Sequence, residues 1–117
     1  PKSNLVIDAA FGTGFRDSWR PPSQPQCRVL AVDIPSGIDG LTGHDTGSLQ
    51  ADTTVTFGAL KPGLLLQPGA SRSGKIKIVD LGLDIGTSKN NLITDDDAAK
   101  VIGTRSATAH KWTNLKK

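Results

Sequence analysis

The stretch Val29-Leu-Ala-Val-Asp-Ile-Pro-Ser-Gly-Ile-Asp39 decides the fold. Val29 to Val32 are apolar without interruption, which predicts a strand buried on both faces, as in a parallel sheet. Pro35 has no backbone N–H and restricts the residue before it, so the strand ends there. Asp33, Ser36 and Asp39 therefore sit at or just past the strand's C-terminal end. In an open α/β sheet, ligands bind along that edge. A carboxylate there can act as an acid or a base, and hydroxyl and carbonyl oxygens beside it can ligate a hard cation. The other reading is a plain strand end whose acids are solvated or cap a turn.

Upstream, Leu5-Val-Ile-Asp-Ala-Ala-Phe11 reads as a second buried strand that runs into Gly12-Thr-Gly-Phe-Arg-Asp-Ser18. A strand entering a glycine-rich turn brings backbone N–H groups close to phosphate. Asp33 follows Gly12 by about 20 residues, the spacing of the ribose-binding acid in dinucleotide folds. Two features speak against that standard motif. Its third glycine would fall on Asp17, and Arg20-Pro-Pro-Ser-Gln-Pro25 breaks the helix that should follow. Gly12 and Gly14 can also be read as a simple tight turn.

Downstream, Gly40 to Gly47 form a polar glycine-rich loop, and His44 within it reads as solvated. Asp52-Thr-Thr-Val-Thr-Phe57 alternates and is β-branched, which predicts a third strand. Lys61, in Lys61-Pro-Gly63 just past that strand, faces either a ligand phosphate or solvent. Lys75 to Leu81 predicts a fourth strand, alternating at its start and so nearer an edge. Gly86 to Asn91 reads as a linker. Thr94 followed by Asp95, Asp96 and Asp97 predicts a helix start, with a hydroxyl cap and acids against the positive end of the dipole. Gly103 is expected to end that helix. These connections hold too little helix to cover both faces of a sheet.

Composition narrows the functional classes. The chain has 117 residues, so it holds one domain at most, and its charge is +3 with basic residues gathered in the tail. No basic stripe is interleaved with aromatics, which argues against nucleic acid. Two distant histidines and one cysteine do not make a zinc site. Cys27 has no internal disulfide partner, and no apolar run of membrane length or signal-peptide pattern is present; the expected location is cytoplasmic.

Taken together, Val6-Ile-Asp-Ala-Ala-Phe-Gly-Thr-Gly14, Leu30-Ala-Val-Asp-Ile-Pro-Ser-Gly37, Ala51-Asp-Thr-Thr-Val-Thr-Phe-Gly58 and Lys61-Pro-Gly63 resemble the NAD(P)H-hydrate epimerase domain, also called the YjeF N-terminal domain. The resemblance covers residues 4–84, the C-terminal half of that domain. The helix near 95–102 followed by Ala109-His-Lys-Trp112 resembles the entry to an ADP-dependent NAD(P)H-hydrate dehydratase, which follows the epimerase in bifunctional bacterial proteins. The resemblance implies residues 1–84 as the epimerase part and 85–117 as a linker into the dehydratase. It implies an α/β fold: a Rossmann-like three-layer α/β/α sandwich with a mostly parallel sheet, present as a partial domain.

The implied reaction interconverts the R and S epimers of hydrated NADH or NADPH. By resemblance, Asp8 and Ser36 are potassium ligands, and Gly12, Thr13, Gly14, Phe15, Arg16, Asp17 and Ser18 hold the hydrated cofactor. Asp33 contacts the substrate and is the acid or base. ADP or ATP would serve the dehydratase, outside this chain. The expected partner is a small nucleotide substrate, with no nucleic acid or membrane, in a homodimer or larger homo-oligomer of the full protein.

There are departures. The family's Asn-Asn-Gly-Gly-Asp segment, which supplies another potassium ligand, is not in the chain and would lie upstream of Pro1. The isolated chain is therefore expected to be inactive and poorly folded. The crossover after Ser18 is short and proline-rich, and Arg16 and Asp17 stand where members vary. A non-catalytic dimerisation scaffold, the role this domain plays in some RNA-decapping proteins, is the alternative reading. Retention of Asp8, Gly12, Gly14, Asp33 and Ser36 together disfavours it.

Overall fold

The computed structural model describes residues 3–15 and 17–102. The chain divides into two units that meet between Ile85 and Gly86. The first holds four strands: β1 (Leu5–Asp8), β2 (Arg28–Val32), β3 (Thr53–Phe57) and β4 (Lys75–Val79). They form one sheet in the order β1-β2-β3-β4, every pair parallel. This is the sheet of a Rossmann-like α/β fold. Parallel register places all four C-terminal ends on one edge, and β4 lies at the rim as its alternation predicts.

The covering layer differs from expectation. Along β2 and β3 burial alternates, with Val29, Ala31, Thr54 and Thr56 buried and their neighbours half-buried or exposed. Strands have a side-chain period of two, so these four share one face. Against that face pack Leu49 and Ala51, while Ile34, Ile38 and Leu64 form an adjoining cluster with Leu60 and Ile76. Full burial of Val29, Ile34 or Leu64 contributes roughly 1.5–3 kcal/mol each.

The opposite face carries Leu5, Ile7 and Val79 in the open, with Ile7 60% exposed. The expectation that β1 and β2 are buried on both faces is thus corrected. Apolar side chains mark a strand as able to be covered twice, but among the described residues the cover lies on one side.

Two short elements escape the pattern reading. A 3-10 turn spans Pro62–Leu64, and a five-residue helix, α1 (Gly69–Ser73), precedes β4. Ser73 O accepts a hydrogen bond from the buried Thr54 Oγ1 at 2.6 Å, which satisfies a hydroxyl inside the sheet. β1 also stops at Asp8, short of the expected Phe11.

In the second unit, α2 (Asp95–Val101) begins as the sequence predicts. Thr94 Oγ1 accepts from the Asp97 N–H, and Asp97 Oδ2 accepts from the Thr94 N–H, a reciprocal cap. The expected stop at Gly103 and the Ala109–Trp112 resemblance lie outside the described residues. No described helix is long and apolar enough to cross a membrane.

Candidate functional site

Two clusters form on the C-terminal edge of the sheet. The first begins at Asp8, the last residue of β1 and 6% exposed. Its Oδ2 accepts a hydrogen bond from the Ser36 N–H at 2.9 Å. Ser36 is fully buried; its Oγ accepts from the Phe11 N–H at 2.9 Å and donates to Phe11 O at 3.3 Å. This is why β1 ends early: the chain bends around Ser36 and pairs with it instead of extending the ladder. No cationic side chain pairs with Asp8 among the described residues. A buried carboxylate without a counter-charge is costly.

The turn that presents Ser36 is held from behind. Gly37 has φ +95°, and a Cβ there would come within 3.1 Å of the Trp19 ring. Trp19 fills the space that a side chain at position 37 would need. Phe11 stacks on Phe15 with centroids 4.1 Å apart and meets Trp19 edge-on at 5.0 Å. The aromatic trio thereby ties the glycine loop to the Ser36 turn.

The second cluster surrounds Asp33, just past β2. Its N–H continues the ladder to Val55 O at 2.7 Å, but its φ is +69°, the one non-glycine residue in the left-handed region among those described. Such a backbone costs on the order of 1–3 kcal/mol and is concentrated at working sites. Three donors converge on Asp33 Oδ1: Lys61 Nζ at 2.5 Å, Thr56 Oγ1 at 3.2 Å and the Phe57 N–H at 3.3 Å. Oδ2 receives no hydrogen bond among the described residues. Burial pushes the Asp33 carboxyl up, but the Lys61 hydrogen bond, the Phe57 amide, the Lys61 charge and the Thr56 hydroxyl outweigh it. The group stays below the usual carboxylate range.

Lys61 resolves differently from both sequence readings. Its ammonium also donates to Phe57 O at 2.7 Å, so it is engaged by the protein and is not a solvated loop lysine. Lys61 is extended, as the residue before a proline must be, and the following turn is seated on the loop after Asp39. The Gly63 N–H donates to Gly40 O at 2.8 Å, and a Cβ on Gly63 would run into Asp39 O.

Between the clusters lies the glycine loop. Phe15 N–H donates to Gly12 O at 3.2 Å, closing a turn, and the Thr13 methyl sits against Gly40. A Cβ on Gly12 or Gly14 would meet nothing within 4 Å, so packing does not demand glycine at either position. Asp17 Oδ1 accepts from the Ser18 N–H, and Arg16 lies outside the described residues. A cavity of about 100 Å³ opens beside this loop, lined by Phe15, Asp17, Gly37, Asp39 and His44 among others. A larger one, about 730 Å³, lies at the opposite edge near Asn4, Val6 and Cys27, away from both acids.

Of the residues the sequence singles out, Asp8 and Ser36 meet directly, and Phe11 joins them to the glycine loop. The hydrogen bonds of Asp33 go instead to the β3 side. Sequence reasoning missed the Lys61–Asp33 pair and the Phe11 backbone; the signal for the first was a lysine fixed before Pro62 at a strand end.

Comparison with known proteins identifies the family. The family described as YjeF-related protein N-terminus matches residues 1–63. A bifunctional NAD(P)H-hydrate repair enzyme Nnr from Moorella thermoacetica is 34% identical over 93% of the chain and 23% of its own length. An NAD(P)H-hydrate epimerase from Leuconostoc mesenteroides is 40% identical over 70% of the chain and 41% of its own length. One from Microbacterium testaceum reaches 57% over 49% of the chain and 23% of its own. The chain spans less than half the length of these three relatives. With a match across more than half of its residues, centred on the segments that build both clusters, the chain belongs to the YjeF-related protein N-terminus family.

Proposed function

We infer that the chain carries part of an NAD(P)H-hydrate epimerase site, which interconverts the R and S forms of hydrated NADH or NADPH. The observation that carries this reading is Asp33: a charged carboxylate at a parallel strand's C-terminal end, strained, with one oxygen pinned and the other unengaged among the described residues. Inversion at the carbon bearing the hydroxyl requires a bond there to break and re-form, while a proton leaves and returns. Asp33 Oδ2 takes that proton and gives it back. Gly12 and Gly14 leave open space for the cofactor, consistent with amides approaching its phosphates. Thr13, Phe15, Arg16, Asp17 and Ser18 complete the proposed cofactor loop.

The Asp8 cluster fits potassium. Its side-chain and carbonyl donors are oxygens, from the Asp8 carboxylate, the Ser36 hydroxyl and the Phe11 carbonyl, and among the described residues its buried acid has no cationic partner. Oxygen donors suit hard cations. A bound potassium ion would supply positive charge against the phosphates of the substrate. The bifunctional name of the Moorella relative, whose match extends over 93% of the chain, supports continuation into an ADP- or ATP-using dehydratase.

The test is Asp33→Asn in the full-length gene product, assayed for conversion of the R hydrate to the S hydrate. Loss of a positioned acid or base lowers kcat by about 10²–10⁴-fold. A loss below about tenfold at saturating substrate would overturn the role given to Asp33.

A further inference from the structure

We propose that Lys61 is a positioning residue of this site: it clamps Oδ1 of Asp33 and reserves Oδ2 for the substrate. The proposal rests on the epimerase reading above.

The geometry is specific. A carboxylate has two equivalent oxygens, and a lysine that merely stabilised the fold could pair with either. Here all three donors choose Oδ1, and they come from the buried end of β3 and the turn beyond it. Lys61 anchors the set, since its ammonium bridges Asp33 Oδ1 and Phe57 O. That bridge ties the end of β2 to the end of β3 and fixes the rotation of the carboxylate plane. The side chains of Lys61 and Asp33 are only 20% and 24% exposed, so water competes weakly for the pair.

The lysine itself is held. Pro62 extends its backbone, and Gly63 seats the turn on Asp39 and Gly40. An ammonium on a long flexible stem is a poor positioning device unless its base is fixed, and this one is. Among the described residues Lys61 is the only charged group that acts on Asp33; Thr56 and Phe57 are its other neighbours, and both are neutral. Removing Lys61 therefore frees the carboxylate to rotate and raises the pH at which it takes a proton.

The experiment compares wild type, Lys61→Met, Lys61→Gln and Lys61→Arg in the full-length gene product, using the R hydrate of NADH across pH. For Lys61→Met, kcat is expected to fall about 10²-fold, the size of effect that misplacing a reacting group produces. KM should hold, and an acid limb should appear in kcat/KM where wild type is flat. Lys61→Arg should keep the wild-type acid range, and Lys61→Gln, of similar polarity without charge, should show the limb even if Lys61→Met does not fold. A rise in KM with kcat and pH profile unchanged would place Lys61 on the ligand and overturn the proposal. A fall in Tm with unchanged kinetics would reduce the pair to a structural ion pair and overturn it equally. A wild-type protein with no epimerase activity would instead overturn the functional reading, and this proposal with it.

Discussion

Asp8 and Asp33 stand at the ends of neighbouring parallel strands, one buried and one half-buried, and the protein answers their charges in opposite ways. Asp33 receives a lysine, a hydroxyl and an amide on one oxygen. Asp8, the more buried, receives a single backbone N–H among the described residues. The carboxylate with its own cation is ready to act as it stands. The other, with no cationic partner among the described residues, is the one we propose for a cation from solution. The same sheet edge thus carries two acids in different settings, which underlie the proton-handling role proposed for Asp33 and the ion-binding role proposed for Asp8; local partners, not strand position, make the difference.

The comparison can be broken from either end. The largest effect is expected from Gly63→Ala, which drives a methyl into Asp39 O and the Gly40 backbone. Overpacking against backbone should cost about 3 kcal/mol in urea unfolding and displace Lys61. A cost under about 1 kcal/mol would show that the turn shifts freely.

Ser36→Ala attacks the other end. It removes the hydroxyl partner of the part-buried Phe11 N–H, and the loss should cost about 1 kcal/mol, the low end of the range for an unsatisfied buried donor. Thermal unfolding checks this, and a variant as stable as wild type would mean that water replaces the hydroxyl.

Potassium sharpens the contrast directly. At ten times its dissociation constant, a cation that binds only the folded state should stabilise by about 1.4 kcal/mol. We expect potassium chloride to raise Tm over tetramethylammonium chloride at equal ionic strength, and Asp8→Asn to abolish the difference while Asp33→Asn keeps it. Equal responses in the two variants would erase the distinction.

The smallest effect comes from a third acid that serves as a control. Asp45 accepts from the Gly47 and Ser48 N–H groups and from Arg72 Nε at 2.8 Å. Burial pushes its carboxyl up, but these bonds outweigh burial and hold it low. A group lowered on folding stabilises above its unfolded range, and that contribution is lost as pH falls through the folded value. The stability gap between wild type and Asp45→Asn should therefore be full at neutral pH and close below about pH 4. A gap that persists in stronger acid would assign the effect to packing.

Much of this arrangement was legible in the residues. Uninterrupted apolar runs marked β1 and β2, β-branched alternation marked β3, and Pro35 marked where β2 must end. The acids at those ends were therefore visible as candidates. Three things were not. The run from Leu5 to Phe11 carries no signal that pairing stops at Asp8, because what stops it is Ser36, far along the chain. The helix Gly69–Ser73 is shorter than two turns, and Gly69, Ser71 and Ser73 are weak helix formers, so it shows no periodicity. The partner of Lys61 depends on how two separate turns meet, which spacing does not encode. Burial failed for a similar reason: an apolar strand states what it could bury, and the covering layer decides what it does bury.

Trp19 has a consequence for observation. Its indole N–H is buried with no partner among the described residues, its ring meets Phe11 edge-on, and it occupies the space beside Gly37. The chain contains one other tryptophan, Trp112. With Trp112→Phe, fluorescence would come from a single indole in apolar surroundings, wedged between the glycine loop and the Ser36 turn. The protein thus carries its own optical gauge at the junction of the two segments proposed to hold the nucleotide and the cation.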